Sequence, residues 1–240
     1  MRIVEKIIQK QKDNDYSGIT VAFLGDSVTQ GCFELYKTGE KSFATVFDKS
    51  AAYHKYFAEI FEVLCPNVPV NVINAGVSGA TASYILDWYE DSVLKHKPDL
   101  TVVCFGLNDA AYGVATLDKY LSSLSEIFDK LRECGSEVIF MTPNMACTEI
   151  SPHLTDETII ACAKENLKRQ TTGVLDLFID SAVKLCHEMG IVVCDCYKKW
   201  KTLNAAGINT TELLANKINH PSREMNRLFA YSLVETIFNS

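Results

Sequence analysis

Four short segments carry residue types that do chemistry when they meet. The first is Val21-Ala22-Phe23-Leu24-Gly25-Asp26-Ser27, an apolar run that stops abruptly at a serine. A serine at such a junction has its hydroxyl at a sheet edge and its N–H near a helix N-terminus, where negative charge is favoured. Helix capping is the plainer role for a serine there. The second is Asn74-Ala75-Gly76-Val77-Ser78-Gly79, whose glycines let backbone N–H groups face a cavity without a Cβ in the way. The same residues also suit an ordinary turn. A G-x-S-x-G nucleophile elbow needs glycine at the next position, which is Ala80. The third is Gly106-Leu107-Asn108-Asp109, where a side-chain amide just past an apolar strand can donate to a developing oxyanion, or cap a helix. The fourth is His220-Pro221, a loop imidazole that is either a general base or a surface residue.

Taken in order, these segments resemble the SGNH (GDSL-type) hydrolase superfamily. Its blocks are Gly-Asp-Ser near the N-terminus, Asn-x-Gly-x-Ser-Gly, Gly-x-Asn-Asp and a C-terminal His-Pro. Here they read Gly25-Asp26-Ser27, Asn74 to Gly79, Gly106 to Asp109 and His220-Pro221. The resemblance implies Ser27 as nucleophile and His220 as its general base. It also implies an oxyanion hole made by the Ser27 and Gly79 backbone N–H groups and the Asn108 amide. It requires neither a metal nor an organic cofactor.

One position departs from the pattern. The family's aspartate three residues before the histidine is replaced by Lys217, which cannot accept the imidazole N–H. The nearest substitute is Asn216, whose side-chain oxygen can accept without supplying charge. A backbone carbonyl can fill the same role, and Asp195 is a more distant carboxylate. The expectation is a serine–histidine dyad oriented by a neutral acceptor. Ala80 likewise stands where many relatives carry an aspartate.

These groups need a scaffold that brings strand ends together. Short apolar, β-branched runs at 20–24, 70–73, 100–105, 137–142 and 191–194 read as strands, several of them apolar on both faces. Stripes at helical spacing lie between or after them, at 52–64, 117–131, 174–189 and 224–238. The alternation predicts a three-layer α/β/α sandwich around a five-stranded, mostly parallel sheet, flavodoxin-like, as a single domain over residues 1–240. Residues 33–50 and 144–155 read as irregular insertions. In such sheets the loops leaving the carboxyl ends of strands build the site, and all of the first three segments fall there.

Composition narrows the partners. With 23 basic and 30 acidic residues the net charge is −7, which disfavours general affinity for nucleic acid or anionic membranes. No apolar run reaches the ~18 residues of a membrane span, so no membrane insertion is expected. Nine cysteines, an odd number scattered through apolar stretches, read as buried free thiols in a reducing compartment. The N-terminus has mixed charge and no apolar secretory segment, so a cytoplasmic location is expected unless a signal peptide has been removed. The expected activity is hydrolysis of short-chain or acetyl esters on a carbohydrate or small molecule. A lipase or lysophospholipase of the same family is the alternative, and a non-catalytic binding module is the alternative outside it.

Overall fold

The computed structural model describes residues 1–40 and 42–240. Its strands are β1 (Ile19–Gly25), β2 (Cys32–Gly39), β3 (Ser42–Phe47), β4 (Val70–Gly76), β5 (Leu100–Cys104), β6 (Glu137–Met141) and β7 (Val192–Cys194). The helices are α1 (Arg2–Lys12), α2 (Ser27–Gln30), α3 (Tyr53–Leu64), α4 (Ala82–Ile85), α5 (Tyr89–Ser92), α6 (Leu117–Glu133), α7 (Glu157–Thr171), α8 (Val174–Met189), α9 (Cys196–Ala205) and α10 (Arg223–Asn239).

Five strands form one sheet in the order β4-β1-β5-β6-β7, every neighbouring pair parallel. That is the flavodoxin-like order, whose switch point lies where connections leave β1 in opposite directions. All five residues of β5 are buried, as a strand covered on both faces should be. On one side, Phe23 of β1 packs against Tyr53 and Phe57 of α3, with ring centroids 5.6 and 5.5 Å away. Tyr53 in turn meets Phe229 of α10 at 5.8 Å. On the other side, Phe140 of β6 meets Phe128 of α6 at 6.1 Å, and Tyr120 of α6 meets Phe178 of α8 at 5.5 Å. These edge and tilted contacts are the preferred geometries of aromatic pairs and define the two helical layers.

The five strand regions and four helices expected from periodicity are present. Helices α1, α7 and α9 escaped that reading. α7 and α9 are weakly striped and polar, and α1 buries only Ile3 and Ile7. Residues 33–50 also differ from expectation, since much of the stretch is the antiparallel hairpin β2–β3. Its ladder is irregular, with register shifts between Cys32 and Leu35 and between Lys37 and Gly39, which hides the period-two alternation. All nine cysteines are free thiols, seven of them buried. No helix among the described residues is long and apolar enough to cross a membrane.

The sheet's carboxyl edge leaves little space between β4 and α2. A Cβ on Gly76 would lie 2.3 Å from the Gln30 nitrogen and 2.7 Å from the Thr29 carbonyl carbon, both main-chain atoms that cannot swing aside. Gly76→Ala is therefore expected to push β4 away from the turn carrying Ser27. Urea unfolding should show a loss of about 1–3 kcal/mol, the usual penalty of overpacking. Unchanged stability would mean that this close approach is not maintained in solution.

Candidate active site

Ser27 is the first residue of α2, a single helical turn between β1 and β2. Asp26 caps that turn, its side chain accepting from the Val28 N–H at 2.9 Å, and Gly31 closes it in the left-handed region. As the first helical residue, Ser27 has an N–H with no intrahelical acceptor. Gln30, in the same turn, reaches across to the loop after β4. Its side-chain oxygen accepts from the Ser78 N–H at 2.7 Å, and its backbone carbonyl accepts from Asn74 Nδ2 at 3.4 Å. The Val77 N–H donates to the Gly25 carbonyl at 3.0 Å. These bonds fix Gly79, whose φ of 79° would strain any residue with a Cβ. Its N–H donates to nothing among the described residues. Asn108 follows β5, and one of its amide hydrogens is held by the Ala80 carbonyl at 3.0 Å, leaving the other unassigned. Ser27, Gly79 and Asn108 thus sit on three loops tied to one another at the switch point of the sheet.

His220 arrives from the far end of the chain. Its Nε2 lies 3.0 Å from Ser27 Oγ, and its Nδ1 lies 2.9 Å from the backbone carbonyl of Phe33. A carbonyl only accepts, so Nδ1 must carry the ring proton, and Nε2 is left bare to accept from the serine hydroxyl. Burial pushes the His220 pKa below the ordinary imidazole value, and the Phe33 hydrogen bond partly offsets that shift.

The group facing Nδ1 corrects the expectation for Asn216 and Asp195. The Asn216 side-chain oxygen accepts from the backbone N–H groups of Ile218, Asn219 and His220 at 3.0, 2.9 and 2.9 Å. Its amide nitrogen donates to the Asn219 side chain at 2.9 Å. Asn216 therefore shapes the histidine loop and does not touch the ring. Asp195 caps α9, accepting from the Lys198 N–H and the Thr142 hydroxyl, each at 3.0 Å. Lys217, at the position of the family's acid, turns to Glu212 and pairs with its carboxylate at 2.9 Å.

Phe33 has its own fastening, which the sequence reading missed. Arg223, the first residue of α10, donates through both terminal nitrogens to the Glu34 carboxylate and through Nε to Asp48 at 2.9 Å. Its guanidinium lies 4.4 Å from the centroid of the Phe33 ring. A forked, planar cation thus clamps both ends of the hairpin, beside the carbonyl that orients His220. An arginine three residues past the histidine and acids flanking 33–48 are visible in the sequence, but nothing there says that they meet.

Two buried carboxyl groups lie behind Ser27. Burial raises Asp26 to a pKa of about 7 and Asp109 to about 6, and the charge of Asp109 adds to the rise at Asp26. Asp109 accepts from the Ala82 N–H at 2.9 Å through Oδ1, while its buried Oδ2 has no hydrogen-bond partner among the described residues.

Residues 23–228 match the sequence profile of the GDSL-like Lipase/Acylhydrolase family. An acetylxylan esterase from Geobacillus stearothermophilus is 28% identical over 136 residues, which are 53% of this chain and 60% of that protein's length. Among solved structures, the lipase/acylhydrolase from Enterococcus faecalis superposes with a TM-score of 0.68 at 22% identity, over 91% of this chain and 95% of its own. The crystal structure of an acetylxylan esterase from Geobacillus stearothermophilus gives 0.66 at 21% identity, over 92% and 94%. At such identities the superpositions establish a shared fold.

The arginine clamp generates a prediction. Arg223→Ala should free the Phe33 carbonyl and weaken its bond to Nδ1. Ester turnover should fall about three- to tenfold, the equivalent of one neutral hydrogen bond. The acid limb of kcat/KM should also move to lower pH, because the bond that raises the imidazole pKa is lost. Arg223→Lys should recover only part of this, having no fork. An unshifted limb in Arg223→Ala would show that the clamp does not act through His220.

Proposed function

The chain belongs to the GDSL-like lipase/acylhydrolase family, and we propose that it is a serine esterase cleaving short-chain or acetyl esters of a carbohydrate or small molecule through an acyl-enzyme. The observation that carries this reading is the 3.0 Å contact of Ser27 Oγ with a His220 Nε2 left unprotonated by the bond from Nδ1 to Phe33.

In this mechanism Ser27 Oγ attacks the ester carbonyl carbon as Nε2 takes its proton. The carbonyl oxygen becomes an oxyanion, held by the N–H groups of Ser27 and Gly79 and by the free amide hydrogen of Asn108. The bond to the alcohol oxygen then breaks, and the imidazolium returns its proton to that oxygen. Water attacks the acyl-serine with His220 again as base, and the carboxylic acid leaves with Ser27 restored. The imidazolium faces a neutral carbonyl at Nδ1, so its charge is less well compensated than beside a carboxylate. A base of lowered pKa stays unprotonated further into mildly acidic solution. It is also a weaker base.

The preference for acetyl groups draws support from the likeness to acetylxylan esterases. One feature favours the lipase alternative: the hairpin leading from the site exposes Tyr36, Phe43 and Phe47, apolar surface that an acyl chain can cover.

Three measurements test the reading. Ser27→Ala should lower hydrolysis of 4-nitrophenyl acetate on the order of a thousandfold or more and leave the fold intact. Undiminished turnover would remove Ser27 as nucleophile. The wild-type kcat/KM should fall only as pH drops below the ordinary imidazole value of about 6.5. A limb above that value would place a carboxylate at Nδ1 in solution. Across 4-nitrophenyl esters of rising chain length, acetate and propionate should be preferred, with each disfavoured methylene worth about 1–3 kcal/mol. A maximum at octanoate or beyond would select the lipase reading.

A further inference from the structure

A cavity of about 460 Å³ opens beside Gly79, between α4 with its preceding loop and the segment running from Asp109 into α6. Its size lies within the ~300–1,000 Å³ typical of small-molecule sites. No aliphatic side chain lines it. Two exposed tyrosines stand on its walls, Tyr84 at 54% and Tyr112 at 72% exposure. Asp87 and Lys119 face the opening and form no ion pair among the described residues, so both keep their hydrogen-bonding capacity. Tyr120 and Asp109 reach the floor. The Tyr120 hydroxyl is engaged by the Phe105 carbonyl at 3.0 Å, while Asp109 Oδ2 is buried and has no hydrogen-bond partner among the described residues.

We propose that this cavity is a sugar-binding subsite, which seats the pyranose ring bearing the ester while the acyl carbonyl is presented at Gly79. The inference rests on the esterase reading and names its leaving group. A pyranose has apolar C–H faces and a rim of hydroxyls. Tyrosine, with an apolar face and a polar tip, matches both. The polar groups that surround the rings suit hydroxyls and would be stranded against a hydrocarbon tail, at a penalty for each group left unsatisfied. Gly79 joins the two regions, since it lines the cavity and also carries an N–H that meets no acceptor among the described residues. A sugar held there lends its binding energy to the reaction at a distance, which raises kcat/KM above that of an ester with no ring.

The test compares monoacetylated xylotriose with ethyl acetate, an acetyl ester without a ring, by titrating released acid. The wild-type protein should favour the oligosaccharide. Tyr112→Ala and Tyr84→Ala should lower kcat/KM for the oligosaccharide at least ~tenfold more than for ethyl acetate, about 1.4 kcal/mol of discrimination. Tyr112→Phe should retain most of the preference, because the ring face remains. Equal losses on both substrates, or none on the oligosaccharide, would overturn the subsite while leaving the esterase reading in place. Binding of unesterified xylotriose to Ser27→Ala, followed by NMR, decides the cavity independently of turnover. Binding that Tyr112→Ala abolishes supports the subsite even if neither ester is cleaved, an outcome that would sink only the esterase reading. Absence of binding overturns the subsite.

Discussion

The hydrogen bond from His220 Nδ1 to the Phe33 carbonyl is the contact on which the rest of the site depends. It selects the tautomer, aims Nε2 at Ser27 and supplies the nearest compensation for an imidazolium in a buried setting. Everything that holds Phe33 therefore acts on His220. The hairpin carries its carbonyl, Arg223 fastens both ends of the hairpin, and Asn216 folds the loop that delivers the ring. In a carboxylate-backed triad the acid does both the orienting and the charge compensation. Here those tasks are separated: a main-chain oxygen orients, and the stabilisation it gives at Nδ1 is that of a dipole.

The parallel sheet explains why the partners converge. Its β1, β4 and β5 end side by side, and the turns that follow them are stitched by Gln30, Asn74 and Ala80 instead of by regular ladder bonds. The same packing buries Asp26 and Asp109 beyond easy hydration. Their folded pKa values lie above the usual carboxylate range, so the folded state retains protons that the unfolded chain would lose. The stability associated with these neutral carboxyls is fully present below the unfolded value. It is lost as pH rises through about 6 and 7. The turn that carries Ser27 is thus built on groups that resist charging, just as burial favours the neutral form of His220.

Ser27, Gly79, Asn108 and His220 could be singled out in the sequence because the short motifs that hold them, each directly beyond a strand or before the last helix, follow the order of a known family. Each motif alone has a plainer structural reading. The central strands β1, β5 and β6 were legible because burial on both faces makes them nearly continuous apolar runs. The hairpin was not, since its register shifts blur the alternation and several of its aromatic side chains face solvent. Helices α1, α7 and α9 were missed because their composition is polar, so few apolar residues mark the face that they bury.

Replacement of the family's acid by Lys217 could also be read directly, and with it the conclusion that some other acceptor must serve the imidazole. Which acceptor it is lay beyond the sequence. Asn216 was near in the chain and chemically apt, yet its oxygen is occupied by three N–H groups of its own loop. The oxygen that serves is 187 residues away along the chain and belongs to the backbone. Every residue carries such a carbonyl, so its identity leaves no mark in the amino-acid types. Only the packing of the hairpin against the histidine loop decides which one faces the ring.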